Sequence, residues 1–192
     1  MNPKQESILQ ECLHCLQNGG TLLYPTDTVW GIGCDATNPE AVQKVYDLKQ
    51  RDESKALISL VKDYKMLQEY VENIPVSISA ILSNAKRPTT IIYSKACNLA
   101  SNLIAADGSI AIRIPNHDFC QALLELWQKP LVSTSANISG EPTPIRFEEI
   151  SEAVSNQVDY VVDSEIFDIQ VPTKPSRILK VVEEGEILVI RE

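Results

Sequence analysis

The chain has 192 residues, of which 44% are hydrophobic and 22% are charged, a composition typical of a soluble globular protein. Its 17 Lys and Arg side chains against 26 Asp and Glu side chains give a formal net charge of −9. This excess of negative charge argues against a protein that binds nucleic acid or an anionic membrane through its overall electrostatic field. Residues 141–192 carry 5 basic and 12 acidic side chains, so an anionic ligand is expected to bind the first three quarters of the chain.

The first residues contain no apolar stretch, and no apolar run in the chain approaches the roughly 20 residues that a membrane-spanning helix needs. The five cysteines, Cys12, Cys15, Cys34, Cys97 and Cys120, are irregularly spaced, which favours reduced thiols over a disulfide framework. Cys12 and Cys15 have a zinc-like spacing, but no second pair follows, so small core residues are the favoured interpretation. We therefore expect a cytoplasmic protein that does not associate with membranes.

Predicted helices and strands alternate along the chain. The first helix begins at residues 2–3, where an asparagine can cap it and a proline can start it, and continues to about Asn18. In chain order there follow strand 21–25, a helix from residues 38–39, strand 57–61, a helix after Asp63, helix 76–84, strands 89–93 and 109–114, helix 117–128, strand 131–134, helix 147–155 and strands near 159–163, 177–182 and 187–190. This alternation predicts a single α/β domain over residues 1–192, with one twisted, mixed β-sheet flanked by helices. Within strand 109–114, Arg113 is expected to face away from the alternating isoleucines.

Residues 24–33 place hydroxyl groups and glycines directly after the first strand. Thr26 and Thr28 follow at alternate positions, and Gly31 and Gly33 permit close approach of a ligand to the backbone. The third glycine of a dinucleotide fingerprint is missing. A ligand-binding turn and a plain turn whose hydroxyls bond to their own backbone both remain open on these residues alone.

Residues 49–55 bring three cations, Lys49, Arg51 and Lys55, to the end of the second predicted helix. Such a group can bind phosphates, but three neighbouring carboxylates cancel its charge, as in many solvated surface segments. Only a fold that turns the cations inward and the carboxylates outward would make a site.

Residues 131–140 run from a buried strand into four hydroxyl side chains, an amide and a glycine. Polar groups at the end of a strand in an open α/β sheet are typical of a ligand site, and a capping turn is the competing interpretation. A serine nucleophile at Ser133 or Ser135 is a further alternative. It requires a base, which predicts that His117 lies within about 3 Å of one of these hydroxyls.

Taken together, five segments in register resemble the YrdC family, the L-threonylcarbamoyladenylate synthases. They are residues 24–33, residues 48–51 with Lys55, residues 112–115, residues 133–140, and the late pair Ser176 and Arg191. Asp27 and Trp30 stand where the family's first motif has glutamate and tyrosine. Residues 84–90 correspond to a loop before a strand that often contains a glycine in the family, and they have none. The matches run from about residue 20 to residue 191, so the resemblance covers nearly the whole chain.

The resemblance implies a concave, ligand-binding face of the sheet and a nucleotidyltransferase activity. L-threonine, bicarbonate and ATP would form threonylcarbamoyl-AMP and pyrophosphate. Mg²⁺ would bind together with ATP, as its metal complex. A tRNA threonylcarbamoyltransferase complex would then use the product to modify tRNA. The alternative on the same fold is a non-catalytic protein that binds double-stranded RNA or acts in ribosome maturation, and weak binding of double-stranded RNA or tRNA is an open expectation for the enzyme too.

The resemblance also assigns roles residue by residue. Lys49 and Arg51 are the expected catalytic residues. L-threonine would be held by Thr28, Arg113, Ser133 and Ser176, with Arg113 bidentate on its carboxylate. ATP would be held by Lys49, Arg51, Lys55, Ser109, Ser135, Asn137, Thr143 and Arg191. No protein ligand for a metal ion is expected.

Overall fold

Three of the described helices begin at a side chain that caps them. The computed structural model of the chain describes residues 1–52, 57–167, 175–182 and 185–192. Within these ranges the helices are α1 (Pro3–Gln17), α2 (Pro39–Lys49), α3 (Tyr64–Tyr70), α4 (Ser77–Ser83), α5 (Asp118–Trp127) and α6 (Glu152–Ser155), with a 3₁₀ turn at Phe147–Glu149. The side chains of Asn2, Asn38 and Asp63 each accept a hydrogen bond from a backbone N–H in the first turn of α1, α2 and α3. The predicted caps are therefore confirmed.

The described strands build one mixed sheet. They are β1 (Leu22–Tyr24), β2 (Gly31–Gly33), β3 (Ile58–Leu60), β4 (Thr89–Tyr93), β5 (Ile110–Arg113), β6 (Leu131–Ser135), β7 (Tyr160–Val161), β8 (Arg177–Val181) and β9 (Ile187–Arg191). In space their order is β7-β1-β2-β6-β3-β5-β4-β8-β9. The pairs β1–β7, β3–β5 and β4–β8 are parallel, and the other neighbours are antiparallel. The predicted α/β architecture with a mixed sheet is confirmed.

Alternation along the strands gives the sheet two unlike faces. On one face, apolar side chains no more than 2% exposed join the hydrophobic core, among them Ile91, Ile112, Val132 and Leu179. Their neighbours along each strand point to the opposite face, because successive side chains of a strand alternate. Arg113 follows Ile112 and lies on this second face, as its position in strand 109–114 predicted.

The prediction of a turn over residues 24–33 is wrong for its last three residues, which form β2 between β1 and β6. Glycine is depleted in strands, so a Gly-Ile-Gly segment gives little β signal. A Cβ atom on Gly33 would overlap the carbonyl oxygen of Val132 and lie 2.8 Å from a ring carbon of Tyr24. Glycine is needed here because the neighbouring strand and the tyrosine ring leave no room for a side chain.

The single helix predicted over residues 147–155 is also wrong. The 3₁₀ turn ends at Glu149, Ile150 and Ser151 are extended with ψ angles of 125° and 145°, and α6 begins only at Glu152. Ile150 packs against the hydrophobic core from this extended position. A tertiary contact thus overrides the local helical pattern.

The cysteines carry free thiols in the structure. Burial raises the pKa of Cys12 to about 12 and the pKa of Cys15 to about 11, so both thiols stay protonated at neutral pH. Over residues 1–52, 57–167, 175–182 and 185–192, the structure forms no cluster of three or more acidic, histidine or cysteine side chains that could hold a metal ion. None of the helices in these ranges has both the length and the apolar content that crossing a bilayer requires.

Substitution of Gly33 by alanine is expected to destabilise the fold by about 3 kcal/mol, because the added methyl group collides with the β6 backbone. The melting temperature of the full chain, followed by circular dichroism, measures this loss. Gly31→Ala is the matched control in the same strand, since its nearest neighbour would be the Ser133 hydroxyl at 3.2 Å. Equal melting temperatures for the two variants would contradict the close approach at Gly33.

Candidate functional site

A cavity of about 400 Å³ opens on the polar face of the sheet. The guanidinium groups of Arg51, Arg113 and Arg191 line it, and among its described lining residues there is no carboxylate. Hydroxyl side chains line the rest of its polar wall, namely Thr26, Thr28, Thr90, Ser133, Thr134, Ser135, Thr143 and Ser176. Cations and hydroxyl groups in a lining of this composition suit the binding of an anionic ligand.

The sheet register explains why residues distant in sequence meet in this cavity. Directly paired residues of neighbouring strands point to the same face of a sheet. Arg113 of β5 pairs with Thr90 of β4. Thr90 also pairs with Ile178 of β8, which in turn pairs with Arg191 of β9. These residues therefore form one row across the cavity.

Arg113 is almost fully buried, with 4% of its side chain exposed. Its Nη1 donates to the hydroxyl of Thr28 at 2.9 Å, and its Nη2 lies 3.4 Å from Oδ1 of Asp27. The hydroxyls of Thr26 and Thr28 are 3.0 Å apart, and Thr26 also donates to the carbonyl of Val29 at 2.8 Å. The hydroxyls of residues 24–33 thus bond both to their own backbone, as the plain-turn interpretation expected, and to a cavity guanidinium, while ligand binding by this turn stays a prediction.

A second polar group joins β4, β8 and β9 at the other end of that row. The Ser176 hydroxyl is buried and lies 2.8 Å from the Thr90 hydroxyl. Arg191 donates from Nη2 and Nε to the Ser176 carbonyl at 2.7 and 3.1 Å. Burial and the nearby charge of Arg87 lower the pKa of Arg191. The expected pair of Ser176 and Arg191 is therefore brought to the cavity as one hydrogen-bonded unit.

Lys49 is not among the described lining residues of the cavity, but it bonds to the backbone of Ser135, which is. Its side chain is 1% exposed, and its Nζ donates to the carbonyls of Ser135 and Asn137 at 2.5 and 2.6 Å. Ser139 N–H donates in return to the Lys49 carbonyl at 2.8 Å. Burial, together with the neighbouring charge of Arg51, lowers the pKa of Lys49 to about 8. Lys49 thus fastens the end of α2 to residues 135–139.

The remaining predicted nucleotide ligands are not all in the cavity. Thr143 lines it. Asn137 is buried and bonds through its amide to the carbonyls of Ile138 and Glu141, which holds the loop after β6. Ser109 precedes β5, where its N–H donates to Asp107, and it is not among the described lining residues. Lys55 lies outside the described residues. Roles for all four remain predictions.

The described cavity lining gives no support to the serine hydrolase alternative. His117 immediately precedes α5 and is not among the described residues that line the cavity. His14 lies in α1 and borders a different pocket. Ser133 and Ser135 therefore face cationic and hydroxyl groups in the described lining, without the imidazole that a nucleophilic serine needs.

Comparison with known proteins identifies the family of the chain. The family model described as telomere recombination, for Sua5, YciO and YrdC proteins, matches residues 14–192. The chain belongs to the Sua5/YciO/YrdC family. Threonylcarbamoyl-AMP synthase of Pseudoalteromonas translucida is 36% identical over 161 residues, which are 82% of this chain and 86% of that protein. The enzyme of the same name from Vibrio parahaemolyticus is 33% identical over 159 residues, covering 81% of this chain and 86% of the relative.

Solved structures of Sua5 and YciO share the fold. P. abyssi Sua5 complexed with L-threonine matches with a TM-score of 0.87 and 22% identity, over 97% of this chain and 54% of that protein. E. coli YciO matches with a TM-score of 0.82 and 24% identity, over 100% of this chain and 91% of that protein. The chain thus spans about half the length of the P. abyssi protein. The expected YrdC-like fold is confirmed.

In this Sua5/YciO/YrdC protein, three residues of the cavity lining that carry hydroxyl groups are absent from the predicted site, namely Thr26, Thr90 and Thr134. Strand alternation turns Thr90 to the face of Arg113, but the run Thr-Thr-Ile-Ile-Tyr does not reveal from residue types which face borders a cavity. Thr26 was visible as a hydroxyl in the first motif. Its bridging position between the Val29 carbonyl and Thr28 depends on the turn geometry, which residue types alone do not reveal.

The low pKa of Lys49 makes a pH-dependent contribution to stability. Between pH 8 and 10.5 the unfolded lysine binds a proton that the folded lysine has released, so stability rises with pH across this window. We expect the free energy of unfolding to increase by about 3 kcal/mol relative to Lys49→Met over that range. Urea unfolding of both proteins at pH 7, 8, 9 and 10.5 measures the difference. A constant difference would contradict the burial of the ammonium group.

Proposed function

We propose that this chain is a threonylcarbamoyl-AMP synthase, which forms threonylcarbamoyl-AMP and pyrophosphate from L-threonine, bicarbonate and ATP. The observation that carries the proposal is the shared cavity of Arg51, Arg113 and Ser135, three residues from separate motifs. The names of the relatives at 33–36% identity support the same activity. An L-threonine complex of a protein with this fold supports the choice of amino acid.

The amino-acid end of the cavity is proposed to lie at Arg113. A buried guanidinium can bind a carboxylate through two parallel hydrogen bonds, and the low dielectric strengthens them. Among the described residues, the buried Nε of Arg113 has no hydrogen-bond partner, which leaves donor capacity for a ligand. Thr28, Ser133 and Ser176 supply the hydroxyl groups that would hold the rest of the threonine.

The nucleotide end is proposed to lie beside β6, where Arg51, Ser135 and Thr143 line the cavity. Arg51 would neutralise charge on the triphosphate, and Arg191 would contact the nucleotide. We propose that Lys49 contributes by fixing residues 135–137 beneath the ligand, since its ammonium is bonded to their carbonyls. Lys55, Ser109 and Asn137 complete the proposed nucleotide set.

The proposed chemistry needs positioning more than a protein base. The threonine amine attacks bicarbonate and forms a carbamate with loss of water, and a carbamate oxygen then attacks the α-phosphorus and displaces pyrophosphate. Holding the two reactants together and neutralising phosphate charge are the main contributions of a protein to such a step. The described lining offers hydroxyls and guanidinium groups but no carboxylate, so Mg²⁺ is proposed to enter on the triphosphate.

The alternative of a non-catalytic protein that binds double-stranded RNA receives no comparable support. A net charge of −9 opposes binding of RNA through the overall field. We propose that tRNA is reached through a separate threonylcarbamoyltransferase complex, which takes the product of this chain. RNA affinity that falls steeply with salt, without threonine-dependent pyrophosphate release, would favour the alternative.

The proposed activity is tested by incubating the full chain with ATP, bicarbonate and L-threonine. Pyrophosphate release and a threonylcarbamoyl-AMP ion in the mass spectrum are the expected products. Reactions without threonine or without bicarbonate are the controls. Pyrophosphate release that is independent of threonine would exclude this function.

Arg51→Ala is expected to lower the rate of pyrophosphate release by a factor on the order of 10², because the cavity loses a cation that balances the triphosphate. Arg146→Ala is the matched control, since Arg146 is 74% exposed and pairs with Glu149 away from the cavity. Melting temperatures establish that both variants are folded. Near-wild-type turnover of Arg51→Ala would remove this residue from the phosphate site.

Arg113→Ala is expected to weaken L-threonine binding much more than ATP binding, because the carboxylate loses its two-point partner. Separate calorimetric titrations with L-threonine and with ATP measure the two affinities. A larger loss for ATP would mean that the amino-acid and nucleotide ends of the cavity are reversed.

A further inference from the structure

Asp27 and Arg113 form a buried ion pair directly beside the cavity. Their side chains are 7% and 4% exposed, and Oδ1 of Asp27 lies 3.4 Å from Nη2 of Arg113. The other carboxylate oxygen accepts a hydrogen bond from the backbone N–H of Asn116 at 3.1 Å. Asp27 itself is not among the described lining residues of the cavity and borders a neighbouring pocket instead. The charge of Asp27 therefore affects the cavity through Arg113, although Asp27 is not part of the described lining.

Arg113 has other contacts that fix its orientation. Its Nη1 donates to the Thr28 hydroxyl at 2.9 Å, and its backbone belongs to β5, paired with β3 and β4. The Nη2–Oδ1 distance of the pair is long, and Oδ1 of Asp27 accepts no hydrogen bond from the part of the chain that the structure describes. The main effect of Asp27 on Arg113 is thus electrostatic, and removal of the charge leaves the guanidinium held by Thr28 and the sheet.

We propose that Asp27 is an internal counter-ion that weakens carboxylate binding at Arg113 and makes the empty cavity stable. This inference rests on the proposed function in one respect, the assignment of the substrate carboxylate to Arg113. A ligand carboxylate must share the guanidinium with a second carboxylate, and like charges at this separation repel. Without a ligand, the same carboxylate is what permits a cation to be buried.

For the proposed reaction, weaker binding of the carboxylate favours the release of ligands that carry a threonine moiety. The substrate and the adenylate product both carry the threonine carboxylate. A lone buried arginine would bind both tightly, because the ligand would be its only counter-ion. With Asp27 in place, the cavity is neutral at this end before binding, so affinity for the carboxylate is moderate and the folded state does not depend on a ligand.

The test compares wild type with Asp27→Asn, which removes the charge and keeps the shape. The variant is expected to melt about 10 °C lower without ligand, because Arg113 loses its counter-ion. It is also expected to bind L-threonine on the order of ten-fold more tightly in calorimetric titration, because the carboxylate meets an uncompensated cation. Asp27→Glu, which retains the charge, is expected to show neither change.

A matched control separates this role from a merely structural one. Asp35 is another buried aspartate, ion-paired to Lys129 and remote from the described cavity lining. Asp35→Asn is expected to lower the melting temperature without changing threonine affinity. L-threoninamide serves as the ligand control, because it lacks the carboxylate, and its affinity is expected to be the same for wild type and Asp27→Asn.

The outcomes are distinct. Unchanged or weaker threonine binding by Asp27→Asn, with normal binding by wild type, overturns this inference and leaves the proposed function intact. Absence of threonine binding by wild type overturns both. If Asp27→Asn does not fold alone, it is refolded with L-threonine or L-threoninamide. Refolding of the variant with L-threonine but not with L-threoninamide supports the counter-ion role. Failure of the variant to refold with L-threonine overturns it.

Discussion

Burial of the Arg113 guanidinium is the constraint on which the site depends. A cation with 4% of its side chain exposed must be compensated, and Thr28 and Asp27 supply a hydroxyl and a charge from one turn. That turn is in place because β1 ends at Tyr24 and β2 returns alongside it through Gly31. The first motif and strand β5 are therefore coupled, since neither presents its polar groups correctly without the other.

Lys49 is a second buried cation whose charge is compensated by neighbouring oxygen atoms. Its buried ammonium is satisfied by two backbone carbonyls at the end of β6, and this fixes the segment that carries Ser135. Buried cations thus fix the backbone geometry on both the β5 and the β6 side of the cavity. A reaction that proceeds mainly by positioning requires such rigidity, because small displacements of bound reactants cost much of the rate.

Sequence patterns predicted most of the elements, and the family resemblance named several residues that meet in the cavity, including Arg51, Arg113, Ser133, Ser135 and Ser176. They failed where a tertiary contact decided the backbone. The Gly-Ile-Gly strand β2 has little intrinsic preference for a strand and exists because two neighbours pair with it. The core contact of Ile150 likewise interrupts a segment with a helical pattern.

By itself, the sequence determined the order of helices and strands, the family, and the chemical character of the site, because capping, alternation and motif spacing are local properties of the chain. Only the tertiary structure decided which groups face the ligand and which support it. Lys49 and Arg51 are two residues apart, yet the first bonds to two backbone carbonyls and the second lines the cavity. Burial and hydrogen-bond partners separate these roles, and both arise from contacts between segments distant in sequence.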